Sequence, residues 1–117
     1  MSRHSDQVRL RHMLDHAREA RSLLEGKTWE DLSNDRTFQL ALMHLVEIIG
    51  EAASRVTKET RRQSPGIPWP DIIGMRNKII HGYDVVDLKI LWKTAQEDLP
   101  ILIAELEKIL PPDLGLE

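Results

Sequence analysis

The stretch from Met75 to Asp84, MRNKIIHGYD, places an arginine, an asparagine, a histidine and the only tyrosine of the chain close together. The apolar residues around them recur every three or four positions, which predicts a helix. We expect one short helix over roughly residues 70–81, because Pro70 suits a first helical position and Gly82 suits the position beyond the last. The polar residues of this helix do not lie where an ordinary core would place them.

On a helical wheel at about 100° per residue, Arg76 falls inside the apolar arc of this helix. A buried guanidinium is unfavourable unless it is paired or opens onto a polar cleft. Glu47 and Glu51, four residues apart on one face of a preceding helix, offer a partner. One interpretation is therefore a buried Arg76–Glu ion pair that only ties two helices together. The other is a polar site.

Asn77 and His81 fall together at the border of the apolar arc, beside Gly74, which would let a partner or a ligand approach closely. We expect His81 in the last helical turn, where the helix dipole favours an imidazolium. Each of these residues has an ordinary structural explanation when it is considered alone, since a histidine at a helix end is most often a cap. Their grouping with Tyr83 is what suggests a function.

Three longer segments also show helical periodicity. Their apolar positions are Leu10, Met13, Ala17, Ala20 and Leu24; then Phe38, Leu42, Leu45, Ile49, Ala52 and Val56; then Leu88, Trp92, Ala95, Leu99, Leu102, Leu106 and Ile109. The pattern predicts an all-α fold in one domain over residues 1–117, an up-and-down four-helix bundle with an additional short helix. No strand pattern is visible.

Local signals place the ends of these helices. Gly26 suits the end of the first helix, and Thr28 with Asp31 resembles a capping box that opens a short turn. Asp87 is a suitable N-cap for the last helix. Pro100 should kink that helix or split it, because an interior proline lacks the N–H donor.

Composition excludes several kinds of chemistry. The chain has 117 residues and no cysteine, so disulfides, thiolate metal sites and cysteine nucleophiles are ruled out. His12 and His16 are spaced like a metal-ligand pair, but no third ligand is evident, so we expect no metal and no cofactor. The net charge of −3 means that any contact with RNA must come from a local basic site. With no apolar stretch resembling a signal peptide or a membrane span, we expect a cytoplasmic protein.

The segment RNKIIHGY resembles the Arg-x4-His-x-Tyr signature of the HepT-like branch of the HEPN superfamily. The flanking segments LVEIIGEAASRV, IPWPDIIGM and VDLKILWKTAQEDLP resemble the same family in the same order, over about residues 35–110. The resemblance implies a dimeric HEPN-like helical bundle that acts as a metal-independent ribonuclease toxin. It implies Arg76 and His81 as the catalytic pair, with Asn77, Glu47 and Glu51 as supporting residues.

The resemblance also implies a partner, a minimal nucleotidyltransferase antitoxin that adenylylates Tyr83. RNA can be cut without a metal because its 2′-OH is the nucleophile, and histidine suits both the base and the acid that this reaction needs. Two His81 rings in a dimeric cleft would supply both roles, and Arg76 would bind the scissile phosphate. An alternative is that the chain is a non-catalytic helical partner, or a modification substrate, of the nucleotidyltransferase.

Overall fold

The structure, a computed structural model, describes residues 3–82 and 85–112. Its helices are α1 (Arg3–Leu24), α2 (Trp29–Asn34), α3 (Arg36–Ser54), α4 (Lys58–Gln63), α5 (Trp69–Ile73), α6 (Met75–Ile79), α7 (Leu88–Lys93) and α8 (Leu99–Ile109). A π-helical segment, Thr94–Asp98, joins α7 to α8, and two short strands, β1 (Ile80–His81) and β2 (Val85–Val86), form a small ribbon. The fold is all-α, as predicted. None of the helices described is long and apolar enough to cross a membrane.

The core lies between α1, α3 and the rod formed by α7, the π-helical segment and α8. Every predicted apolar position of α1 and α3 is buried, which confirms both stripes. Ala17 and Ala20 are fully buried, and their small size lets neighbouring helices approach α1 closely. The predicted stripe of the last helix was wrong at its end: Ile109 is 40% exposed, and Leu110 is buried instead.

Side-chain caps begin several helices, and those at Thr28 and Asp87 lie where the sequence predicts them. Thr28 and Asp31 form a complete capping box at α2, in which each backbone N–H donates to the side chain of the other residue. The carboxylates of Asp35 and Asp87 cap α3 and α7. Gly26 follows α1 with a φ of +70°, a conformation that glycine adopts without strain. These caps satisfy backbone donors that the first helical turn leaves unpaired.

The single short helix predicted over residues 70–81 was wrong in two respects. The chain forms two helices, α5 and α6, which are separated at Gly74. It then leaves the helical conformation at Ile80, whose φ of −99° and ψ of 123° are those of a strand. His81 therefore lies on β1 and not in a helical turn, so the helix-dipole argument does not apply to it. Asn77 and His81 do not share a helical face.

The β1–β2 ribbon corrects the expectation that the chain has no strand. Ile80 pairs with Val86 and His81 pairs with Val85 in antiparallel register. The backbone N–H of Asp87 donates to the carbonyl of Ile79 at 2.7 Å and closes the ribbon against the end of α6. Three of the four ribbon residues are β-branched, which favours the extended conformation over continuation of the helix.

A π-helical segment interrupts the last helix just before Pro100, where the sequence predicts a kink or a split. This proline lies in the first turn of α8, directly after the π-helical segment. A proline ring crowds the carbonyl four residues earlier, and a wider π-helical turn is one way for a helix to accommodate such a disruption. The two halves of the rod pack on different neighbours: α7 contacts α2, α3 and α6, whereas α8 contacts α1.

A buried carboxylate ties α1 to the beginning of α4. Asp6 is 2% exposed, and it accepts hydrogen bonds from the backbone N–H of Thr57 at 3.1 Å and from the hydroxyls of Thr57 and Thr60. Burial raises the pKa of Asp6, but these hydrogen bonds together outweigh burial and hold that pKa below its ordinary value of 3.8.

We expect Asp6→Asn to lower the free energy of unfolding at neutral pH by about 1–3 kcal/mol, because an amide cannot accept all of these hydrogen bonds. The pKa of Asp6 is lower in the folded state than in the unfolded state. The stabilisation is therefore complete above the unfolded pKa and is lost as the pH falls through the folded pKa. Urea denaturation at neutral and acidic pH measures both effects.

The matched control is Asp15→Asn, an exposed acid on the same helix, which should leave the free energy of unfolding nearly unchanged. A difference between wild type and Asp6→Asn that stays constant into strong acid would contradict this account of Asp6.

Candidate functional site

Arg76 extends from α6 over α3, where its Nε donates to Glu47 Oε2 at 3.0 Å. The two side chains are 49% and 40% exposed, so the ion pair is not buried. The wheel-based prediction that Arg76 points into the core was wrong, although Ile72, Met75 and Ile79 of the same arc are buried. The long side chain of Arg76 instead carries its guanidinium away from this apolar arc to Glu47.

The Arg76–Glu47 pair lies at a groove between α1 and α3, which we call the α1–α3 groove. The groove has a volume of about 730 Å³. It is lined by Ser5, Val8, Arg9 and His12 of α1, by His44, Glu47, Ile48, Glu51, Ala52 and Arg55 of α3, and by Arg76 of α6. Cavities of this size are typical of ligand-binding sites in proteins.

Two amphipathic helices form the walls of this groove. On α3 the polar residues His44, Glu47, Glu51 and Arg55 recur every three or four positions and therefore share one face. Their face borders the apolar face through which α3 packs against α1. Where two such helices pack by their apolar faces, the bordering polar residues line a groove along the contact.

Glu51 makes no hydrogen bond or ion pair with Arg76, although the sequence analysis expected it to support that arginine. It accepts a hydrogen bond from Arg55 Nε at 3.1 Å, one turn further along α3. Both glutamates line the α1–α3 groove, but each is paired with a different arginine. Glu47 alone has the position that the sequence analysis gave to both.

The sequence analysis did not place four residues at this groove: Arg9, His12, His44 and Arg55. His44 and Arg55 could have been found, because they continue the helical spacing of Glu47 and Glu51 along α3. Arg9 and His12 share one face of α1, but no local pattern shows that this face lies beside the polar face of α3. That neighbourhood arises only from tertiary packing.

His81 lies outside the α1–α3 groove. Its imidazole is 59% exposed, and Nε2 lies 3.8 Å from Asp87 Oδ2. The two side chains form an ion pair only when the imidazole is protonated. No hydrogen bond or ion pair joins His81 to Arg76 within residues 3–82 and 85–112. Asn77 is exposed, and its side chain makes no hydrogen bond to that part of the chain. Tyr83, the predicted modification site, lies outside the described residues.

His12 and His16 were considered above as a possible metal-ligand pair. His16 Nδ1 lies 2.7 Å from the carbonyl oxygen of His12, so this ring nitrogen is occupied by a hydrogen bond to the backbone. Across the residues that the structure describes, no group of three or more histidines or acids has the arrangement to hold a metal ion.

The all-α fold, with Arg76 of the short helix α6 beside an interhelical groove, is consistent with the HEPN-like fold that the sequence resembles. The family described as "Ribonuclease HepT-like" matches residues 13–109. The chain therefore belongs to the HepT-like family.

Several relatives are similar over most of their length. The chain is 40% identical to "Probable ribonuclease HepT" of Thermococcus cleftensis over 82% of this chain and 91% of that protein. It is 35% identical to a "Putative RNase" of Caldanaerobacter subterraneus over 86% of this chain and 90% of that protein. It is 30% identical to a "Putative RNase" of Methanocaldococcus jannaschii over 92% of this chain and 98% of that protein. No solved structure gives a significant match.

We expect Glu47→Gln to lower the free energy of unfolding by less than about 1 kcal/mol, because its ion pair with Arg76 is half exposed and is screened by solvent. Urea denaturation measures the change. Glu107→Gln is the matched control, since it removes a similarly exposed ion pair with Arg18 on α1. A loss of roughly 3 kcal/mol or more, as for a buried pair, would contradict the half-exposed geometry.

Proposed function

We propose that this chain is a ribonuclease that cuts RNA through the attack of the RNA 2′-OH and needs no metal ion. Its membership of the HepT-like family and the printed names of its relatives support RNA as the substrate. The observation that carries the proposal is the presentation of Arg76. Its guanidinium is half exposed beside the groove and is held by a hydrogen bond through Nε.

The hydrogen bond to Glu47 fixes the direction of Arg76 but leaves both terminal amino groups without a partner among the described residues. A guanidinium held in this way offers a planar pair of donors, the geometry that suits two oxygens of one phosphate. In our proposal Arg76 binds the scissile phosphate and stabilises the negative charge that builds up on it during the reaction.

The reaction is a transesterification. A base removes the proton of the 2′-OH, the 2′-oxygen attacks the adjacent phosphorus, and the bond from phosphorus to the 5′-oxygen breaks. An acid protonates the leaving 5′-oxygen, so the products are a 2′,3′-cyclic phosphate and a 5′-hydroxyl. We assign acid and base chemistry to His81, whose exposed ring is accessible to a substrate. Asn77, which is also exposed, would orient the phosphate or the imidazole.

One chain supplies one His81, and the reaction needs both a base and an acid. We propose a homodimer in which the Arg76–His81 segments of the two protomers face one cleft, so that the second His81 supplies the complementary role. This arrangement agrees with the lack of any hydrogen bond or ion pair between Arg76 and His81 in the described part of one chain. It also concentrates positive charge locally in a chain whose net charge is −3.

We expect the wild-type protein to cut total RNA in the presence of EDTA and to leave 2′,3′-cyclic phosphate ends. His81→Ala should reduce the rate by about 10²-fold or more, through the loss of proton transfer. Arg76→Ala should reduce it by about 10²–10³-fold, through the loss of charge stabilisation. Gel analysis of the RNA and end-group analysis of the products measure these outcomes.

Lys78→Ala is the matched control, because Lys78 is an exposed cation of the same helix that pairs with Asp71, and its loss should leave the rate nearly unchanged. Thermal unfolding of each variant separates a catalytic effect from misfolding. Wild-type rates in both active-site variants, or complete dependence on a divalent metal, would refute the mechanism.

We further propose that the chain is the toxin of a toxin–antitoxin pair and that a minimal nucleotidyltransferase is its partner. In the modification step the phenol oxygen of Tyr83 attacks the α-phosphorus of ATP, pyrophosphate leaves, and the phenolic proton passes to a base. The product is an O-AMP-tyrosine two residues from His81. Its bulk and negative charge would oppose the binding of an RNA phosphate near that histidine.

Treatment with the nucleotidyltransferase and ATP should add the mass of one AMP to the wild-type protein and suppress RNA cleavage. Tyr83→Phe should gain no mass and should still cut RNA after the same treatment. Intact-protein mass spectrometry and the cleavage assay measure both results. If the unmodified wild-type protein binds the nucleotidyltransferase but cuts no RNA, the alternative of a non-catalytic partner or modification substrate is favoured.

A further inference from the structure

One arginine in the α1–α3 groove makes no hydrogen bond or ion pair with the described part of the chain. Arg9 Nη1 is shielded from solvent and has no hydrogen-bond partner there. The nearby carboxylate of Asp6 accepts hydrogen bonds from Thr57 and Thr60, and the charge of Arg9 acts on it only at longer range, where it helps to lower the pKa of Asp6. A guanidinium nitrogen withdrawn from water without a hydrogen bond is unfavourable, so an acceptor that enters the groove would stabilise Arg9.

The charges of the groove do not balance. Three arginines line it against two glutamates, and each glutamate is already paired, Glu47 with Arg76 and Glu51 with Arg55. Arg9 makes no ion pair with either glutamate. The groove is thus locally cationic in a chain whose net charge is −3, and the ligand that fits it is an anion.

The groove is also continuous from Arg9 to Arg76, since both residues line the same cavity of about 730 Å³. Apolar surface lies between the charged groups: Val8 is 41% exposed and Ile48 is half-buried, and both line the cavity. Phosphates that alternate with flatter and less polar sugar and base surfaces are the chemistry of a single-stranded nucleic acid.

We propose that the α1–α3 groove binds a single strand of RNA, and that Arg9 binds a phosphate of that strand other than the phosphate bound by Arg76. The inference rests on the proposed ribonuclease function and extends the substrate site onto α1. Arg9 is a binding residue, because it touches the strand away from the bond that breaks. Its loss should therefore raise KM and leave kcat nearly unchanged.

The test measures the binding of a fluorescent RNA oligonucleotide by anisotropy at several salt concentrations. Its 2′-O-methyl groups prevent cleavage, because they remove the 2′-OH nucleophile. Arg9→Gln should weaken binding by roughly tenfold, the effect of losing one charge-assisted hydrogen bond. It should also reduce the dependence of log Kd on log salt by about one phosphate contact. Arg9→Lys, which keeps the charge but loses the planar donor pair, should lie between Arg9→Gln and wild type.

Arg18→Gln is the matched control. It removes the same charge from the same helix, but Arg18 pairs with Glu107 outside the groove, so its RNA affinity should remain that of wild type. If Arg9→Gln fails to fold, Val8→Glu decides instead, because it places a negative charge at an exposed position in the groove. Val8→Glu should weaken binding, whereas Val8→Gln should change it little.

Wild-type affinity and salt dependence in Arg9→Gln, or in Val8→Glu, would overturn the inference. So would a change in oligomeric state, measured by light scattering, with RNA affinity unchanged, since Arg9 would then pair with a second copy of the chain. Failure of the wild type to bind the oligonucleotide would overturn it as well. Arg9-dependent binding without cleavage of natural RNA would refute the ribonuclease function and leave the binding site standing.

Discussion

The close approach of α5 to α3 at Gly50 is the contact on which the site depends. A Cβ atom at Gly50 would lie 3.3 Å from the carbonyl oxygen of Ile72, so the absence of a side chain sets the distance between the helices. Gly50 is one turn from Glu47 on α3, and Ile72 is four residues before Arg76. The same contact therefore brings Glu47 within hydrogen-bond range of Arg76. A larger residue at position 50 would move α5 away from α3 and would thereby also separate Arg76 from Glu47.

The parts of the fold that local forces determine could be predicted from the sequence. The buried positions of α1 and α3 were predicted correctly, because each helix buries one face and the apolar residues of that face recur every three or four positions. The caps at Thr28 and Asp87 were correct because a capping side chain bonds to backbone only three residues away. The pairing of Arg76 with a glutamate of α3 was also anticipated, although the expected burial was not.

The region from α5 to β2 could not be predicted in the same way. A helical wheel places residues only while the helix continues, and α6 ends at Ile79, so the wheel misplaced His81, which lies on β1. The strand at Ile80 depends on Val86, a partner further along the chain. The α1–α3 groove depends on contacts between helices that lie even further apart in the sequence. For these reasons the sequence did not place Arg9 and His12 beside the polar face of α3.

The π-helical segment Thr94–Asp98 has a consequence for how this chain can vary. Because that segment carries extra backbone per turn, α7 can face α2 and α3 while α8 faces α1. A π-helical turn holds one residue more than an α-helical turn, so removal of one residue there would leave a regular α-helical turn and keep Leu102 and Leu106 on the buried face. The same deletion within α8 would instead rotate the residues that follow by about 100° and turn part of the buried face towards solvent.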